Sequence, residues 1–223
     1  MLTRYDSNFI QFNDLPNLRQ FKEAAHYLRD YHRKYGQKHE KFYLPANTVP
    51  TVTLTDYFQN IGYDFGYNEL YAIEPHQFPL VKNESDIEVV EVTHENFETF
   101  VQLQFPQDLE FGREFAEQKI ELHKRNFQER HILQVLAFYK GTAAGSMDVI
   151  VAEETVEIDN LSIAEMFQKK GIGSRLQRFV MDQFSDKTVI LVADGEDTPR
   201  EMYQRQNYQC LGYKYEVQKI DQD

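Results

Sequence analysis

Between His131 and Ile163 the chain carries three apolar stretches separated by two two-residue breaks. HILQVLAFY (131–139) stops at Lys140-Gly141, TAAGSMDVIVA (142–152) stops at Glu153-Glu154, and TVEIDNLSI (155–163) follows. Runs this short, rich in β-branched and aromatic residues and joined by turn-length gaps, pair with their sequence neighbours as an antiparallel meander. The period then changes. Ile172, Leu176, Phe179, Val180 and Phe184 recur at three-to-four spacing and predict a helix over 171–185. VILVAD (189–194) is a continuous apolar run of the kind a buried, parallel-type strand shows.

Upstream, IEVVEV (87–92) reads as a strand, followed by helical segments near 94–104 and 110–128. Downstream, Thr198-Pro199-Arg200-Glu201 is a helix start, with a capping residue, a proline at the first helical position and a glutamate closing a capping box. Asn207 tolerates the left-handed exit, and strands run from Tyr208 to about Val217. The fold class is therefore α/β, of the α+β kind, with a mixed, mainly antiparallel central sheet flanked by helices.

Residues 1–85 carry a smaller αβαβ pattern. A helix spans 17–34 and ends at Gly36; KFYLP (41–45) is a strand; Thr53–Ile61 is a helix, with Thr53 and Asp56 as a capping pair and Gly62 closing it. Tyr63–Phe65 and Glu69–Ile73 read as strands around a glycine-containing turn. Residues 74–84 lose all periodicity and hold two prolines, which marks a linker. The expected domains are 1–85 and 86–223.

A single cysteine, Cys210, excludes an internal disulfide and any zinc site needing two cysteines from one chain. No stretch approaches the ~20 apolar residues that span a membrane, and MLTRYDSNFIQF has no signal-peptide core. A cytoplasmic protein without a membrane partner is expected. The net charge of −12 argues against nucleic acid as a partner. It is uneven: 9 Lys+Arg against 10 Asp+Glu up to residue 85, then 15 against 26. An acidic domain draws in cations, protonated amines among them, although surplus charge also serves solubility alone.

The sharpest local signal is Gln168-Lys169-Lys170-Gly171-Ile172-Gly173-Ser174, between the strand end Leu161-Ser162-Ile163 and an amphipathic helix. Two glycines let a ligand approach the backbone, and a helix start offers unpaired N–H groups that suit a pyrophosphate. The segment is neither a P-loop nor a dinucleotide fingerprint. By itself it is also compatible with a plain strand-to-helix turn.

In context, residues 86–223 resemble the GNAT N-acetyltransferase superfamily. The carriers are the Q/R-x-x-G-x-G/A loop as Gln168-x-x-Gly171-x-Gly173, the strand end before it, Gly145 in the preceding strand, and a tyrosine helix with its exit, Met202-Tyr203 then Asn207-Tyr208. Three positions depart: Glu165 stands near the usual proline, Pro199 where alanine is favoured, and Asn207 for glycine. Glu165 brings negative charge close to where phosphates would lie. The resemblance implies a GNAT-like sheet and acetyl-CoA as acyl-donor cosubstrate, without a metal. It implies that Leu161, Ser162, Ile163, Gln168, Lys169, Lys170, Gly171, Ile172, Gly173 and Ser174 bind it, with a backbone N–H near Ser162 or Ile163 polarising the thioester carbonyl.

The acceptor implied is a primary amine, small-molecule or peptide. A lysine-like amine is neutral in only about 1 molecule in 2,500 at pH 7, so a base must take its proton. Glu157 and Asp159, two apart on one strand face, are the candidates; exposed strand carboxylates and an ordered water are the other readings. Tyr203 matches the family tyrosine that protonates the departing thiolate. His26, His32, His123 and His131 show no metal spacing, and Cys210 is expected to pack in a strand. The function expected is direct transfer of an acetyl group to an amine; the alternative is a non-catalytic acyl-CoA sensor or partner-binding module. A homodimer is left open.

The N-terminal pattern looks like a degenerate second half of the same fold. Aligning Tyr63 with Tyr208 sets Thr53 on Thr198, Asp56 on Glu201 and Phe58 on Tyr203. NDLPN replaces the glycine loop before its first helix, and Phe58 has no hydroxyl to donate. This half is expected not to bind CoA and to help wall the acceptor cleft.

Overall fold

The computed structural model describes residues 5–82, 85–196 and 200–220. It divides into two compact units, and the division does not fall at one point of the chain. Unit 1 takes residues 1–70, 192–200 and 210–223; unit 2 takes 71–191 and 201–209.

Unit 2 is built on the predicted meander. β4 (Ile87–Glu91), β5 (Ile132–Tyr139), β6 (Thr142–Val151) and β7 (Thr155–Ile163) pair antiparallel in sequence order. The tight turn between β5 and β6 has positive φ at both Lys140 and Gly141, the condition for a turn that matches strand twist. β8 (Thr188–Asp194) then joins β7 in parallel, as its apolar run implied.

Helix α5 (Ile172–Gln183) makes the crossover, burying Ile172, Leu176, Val180 and Met181. Each such side chain contributes about 1.5–3 kcal/mol when fully buried. Across the other sheet face lie α3 (Phe97–Asp108) and α4 (Arg113–Gln128), where Phe100 and Val101 pack with Val92 and Leu136. α3 runs one turn further than expected and carries Pro106 inside it.

Unit 1 repeats the parallel crossover. β1 (Ile10–Gln11), α1 (Leu18–Lys34) and β2 (His39–Tyr43) form it, with β1 parallel to β2. α2 (Val52–Ile61) and β3 (Asp64–Ile73) follow. The last strand of the chain, β9 (Gln209–Ile220), pairs antiparallel with β2 from Tyr43↔Glu216 to His39↔Ile220. Its Val217 lies in one core with Phe21, Phe42, Phe58 and Tyr63. Beside that core Glu40 is buried, pairs with Arg29 at 2.6 Å and accepts the Tyr63 hydroxyl proton.

Several local expectations are corrected. α2 is capped by Thr51, whose side chain accepts from the Leu54 N–H, and not by Thr53. Gly66 lies inside one continuous strand, so the two short strands around a turn are β3 alone. The end of the chain is likewise one strand. Cys210 is exposed on it and does not pack. The start signal at Thr198 and Pro199 lies outside the described residues; α6 is described from Arg200 to Arg205.

The internal comparison has a geometric counterpart at the two helix exits. Gly62 (φ 77°) and Asn207 (φ 65°) both adopt the left-handed conformation. The Tyr63 N–H bonds the Phe58 carbonyl at 2.9 Å, and the Tyr208 N–H bonds the Tyr203 carbonyl at 3.0 Å. These are the same six-residue closures, five positions back in each copy.

Candidate active site

The residues singled out at 157–174 sit on one strand and the turn after it. β7 is bound to β8 only from Thr155↔Thr188 to Glu157↔Ile190. Beyond that ladder, the outer edge of Ile158–Ile163 has no strand partner among the described residues of unit 2. On the inner side Ser146 pairs with Ser162 and Asp148 with Asp159, so β7 spends one residue more than β6 over this step. That bulge centres on Asn160, which has φ 50°. Bulges re-aim side chains, and this one separates the carboxylate stretch of β7 from Leu161-Ser162-Ile163.

Gly145 lets the strands approach there. A Cβ at that position would lie 2.5 Å from Ile163 Cδ1 and 2.9 Å from the Ser162 carbonyl oxygen. The chain then turns through Lys169 (φ 61°) and Gly171 (φ 81°) into α5. Gly171 is the N-cap and supplies no side-chain hydrogen bond. The first N–H groups of α5 thus have no side-chain cap from Gly171, at the positive end of the helix dipole.

Gly173 is not crowded by the protein: a Cβ there would meet only Leu161 Cδ2, at 3.9 Å, among the described residues. The Gln168 amide folds back and donates to the Ile163 carbonyl at 3.4 Å, bracing the turn. Ile172 is buried beneath it, and Ser174 Oγ accepts from Gln206 Nε2 at 3.3 Å. Lys170 lies over the Tyr139 ring at 5.7 Å.

A cleft of 340 Å³ opens beside this turn, with Lys82, Lys170, Arg175 and Arg205 among its walls together with Gly171 and Ser174. The Arg175 Nε is buried without a hydrogen-bond partner. The sequence reading missed Lys82, Arg175 and Arg205, because they come from a linker and two separate helices.

Glu157 and Asp159 share one face of β7, as alternation requires. Burial, and secondly the Asp159 charge, push the Glu157 carboxyl above its ordinary range. Asn160 closes over Asp159: its N–H donates to Oδ1 at 2.9 Å and its side-chain amide to Oδ2 at 3.2 Å. Tyr203 packs between Tyr71 (ring centroids 4.9 Å apart) and Tyr208 (5.5 Å). Burial pushes its hydroxyl pKa up, so it stays protonated at neutral pH.

His131 is exposed, whereas His123 is buried and stands 3.8 Å from Asp108. No group of three or more His, Cys, Asp or Glu arranged to hold a metal occurs among the described residues. No described helix is long and apolar enough to cross a membrane.

Comparison with known proteins agrees with this geometry. Residues 91–208 match the acetyltransferase (GNAT) family, and residues 1–71 match a domain of unknown function, DUF5613. No curated protein matches the chain. Among solved structures, a functionally unknown conserved protein from Staphylococcus epidermidis is 27% identical, with a TM-score of 0.89 over 95% of this chain and 84% of its own. A GCN5-related N-acetyltransferase from Kribbella flavida is 12% identical (TM-score 0.63, covering 95% and 78%). A tandem GNAT protein from the clavulanic acid biosynthesis pathway is 10% identical (TM-score 0.57, covering 91% and 70%). The last two likenesses concern the fold alone. With more than half of its length matched, and with the open strand edge and uncapped helix start in place, the chain belongs to the GNAT acetyltransferase family.

Proposed function

We propose that unit 2 transfers an acetyl group from acetyl-CoA to a primary amine within one ternary complex. The observation that carries this reading is the run from the unpaired edge of β7 into the uncapped start of α5. An extended amide chain can pair with that edge as a strand would, while the turn amides and the cations of the adjacent cleft take its phosphates. The Gly173 position fits the same ligand, since it leaves backbone room that no protein atom uses.

Alternate N–H groups of a strand point to each neighbour, so an open-edge N–H among Leu161, Ser162 and Ile163 faces the thioester carbonyl. Such a donor stabilises the charge that develops on that oxygen. Asp159 or Glu157 takes the ammonium proton, freeing the lone pair that attacks. Tyr203 holds a proton for the departing thiolate. An ordinary thiol pKa of about 8.5 makes that thiolate a good leaving group, so the tyrosine adds only modestly.

Unit 1, on the same proposal, is a degenerate half of this fold that binds no CoA. Its helix start is closed by its own side chains: Asn17 Oδ1 accepts from the Gln20 N–H at 3.0 Å, and Gln20 Oε1 accepts from the Asn17 N–H at 2.9 Å. The tandem GNAT likeness is in keeping with two halves in one chain.

The test is thiol release from acetyl-CoA with a panel of polyamines, amino acids, aminoglycosides and peptide N-termini, beside calorimetry with CoA. Transfer to at least one amine is expected. Gly173→Glu, which puts a carboxylate where phosphate binds, should abolish CoA binding while melting stays cooperative. Undiminished affinity in that variant removes the site; tight CoA binding without transfer to any amine favours the acyl-CoA sensor instead.

A further inference from the structure

Under α3 and α4 the sheet holds charge that the steps above leave unused. Asp148, in the middle of β6, is 2% exposed. Its Oδ2 accepts from the Asn160 amide at 3.1 Å, while its Oδ1 is buried without a hydrogen-bond partner. The same amide donates to Asp159, so one side chain ties the two carboxyls together. The strand register sets Asp148 directly opposite Asp159. Side chains so placed stand about 4.5–5.5 Å apart at Cβ, close enough for two carboxyls to compete for one proton.

Asp148 is surrounded by other ionisable groups. Asp159 faces it from β7, and His123 and Lys119 face it from α4. His123 and Lys119 are both buried. Neither ring nitrogen of His123 has a hydrogen-bond partner, and Asp108 at the end of α3 is its neighbouring carboxylate. Gln134, opposite Asp148 on β5, donates to the His123 carbonyl at 3.4 Å. Burial, reinforced by Asp159, pushes the Asp148 carboxyl above its usual range; His123, Asn160 and Lys119 pull the other way.

We propose that Asp148 is a positioning residue for acyl transfer, tied to Asp159 through the Asn160 amide and sharing the proton that Asp159 takes from the acceptor ammonium. This rests on the acyl-transfer reading above. In the step, the N–H bond of the ammonium breaks and its electron pair stays on nitrogen. An O–H bond forms on Asp159, and the proton is then held between Asp159 and Asp148 until product leaves and solvent takes it.

The experiment uses the full chain, with the amine that the panel identifies and with inorganic-buffer pH series. Asp148→Asn keeps an acceptor for Asn160 but removes the like charge beside Asp159. The acid limb of kcat should therefore move down by about half a pH unit or more, and the plateau kcat should fall about tenfold, with KM little changed.

Should Asp148→Asn fail to fold, His123→Gln carries the kinetic comparison and must shift the same limb. An unchanged limb in a transferring enzyme overturns the proposal alone. A wild-type chain that acetylates no amine overturns the transfer reading and this role with it.

Discussion

Gly145→Ala tests the packing that sets the β7 edge. The added methyl would meet Ile163 Cδ1 at 2.5 Å and the Ser162 carbonyl oxygen at 2.9 Å, against a comfortable carbon separation of about 3.5–4.0 Å. The isoleucine can rotate, but the carbonyl is backbone, so β6 and β7 must part by several tenths of an ångström. Overpacking of this kind costs about 1–3 kcal/mol, of which the ordinary advantage of alanine over glycine in a strand returns about 0.5–1. The remainder, at most about 2.5 kcal/mol, lowers Tm by up to about 10 °C in a chain of this size. The displacement falls on Ser162, so kcat should drop as well. Gly173→Ala is the control: its methyl meets only Leu161, at 3.9 Å, and a helical alanine is up to about 1 kcal/mol better than glycine. Thermal melting followed by calorimetry with CoA decides the matter. A Gly145→Ala chain that melts above wild type, or a Gly173→Ala chain that melts below it, refutes the reasoning.

Tyr203→Phe should lower kcat about 10–100-fold with little change in CoA affinity, read from steady-state kinetics and calorimetry; a wild-type rate leaves the ring as packing between Tyr71 and Tyr208 only. Titrating the full chain with CoA should give one site, since the α1 start is already capped; two sites per chain would contradict the degenerate-half reading. Stability should fall as pH rises from the ordinary carboxyl range through the raised values of Asp148 and Glu157. In that window the folded chain holds protons that the unfolded chain has released, so unfolding is favoured by each step upward in pH. Asp148→Asn should flatten that slope in chemical denaturation; an equally steep one would mean that Asp148 ionises in the fold at its ordinary pKa.

What was legible in the sequence was local. The meander, the α5 period and the left-handed exit at Asn207 each depend on neighbours within a few residues, and each stands where expected. The Asn17–Gln20 box is hard to read in sequence because it is not the usual Ser/Thr–Glu pair, although asparagine caps as well as serine. Gly66, a glycine between aromatics, resembles a turn in sequence, whereas it lies within a strand. The candidate site was legible as far as one strand and one loop carry it. Asp148 was not, even though a lone aspartate amid SMDVIV is itself a signal. Its meaning comes from His123 and Lys119, which a helix 25 residues back in the chain delivers to the same sheet face.

The two helix starts belong to crossovers of like topology and differ in what their first N–H groups meet. β1–α1–β2 and β7–α5–β8 are both parallel pairs with a crossover helix, and both lead to a helix that ends in the same left-handed closure. The difference lies in which atoms satisfy the first N–H groups of the crossover helix. At α1 a side chain four atoms long does so from within, which stabilises that helix by about 1 kcal/mol and removes the donors an anion would need. At α5 the glycine cap gives up that stabilisation and keeps the donors. The hydroxyl follows the same division, since Phe58 fills the core of unit 1 at the position where Tyr203 carries an oxygen. Unit 1 keeps its fold by other means: β9 arrives from the far end of the chain, lies along β2 and places Val217 against Phe21 and Phe42. On the proposed reading, a half whose ligand-binding features are closed persists as structure because its core is complete, with β9 bringing Val217 into it.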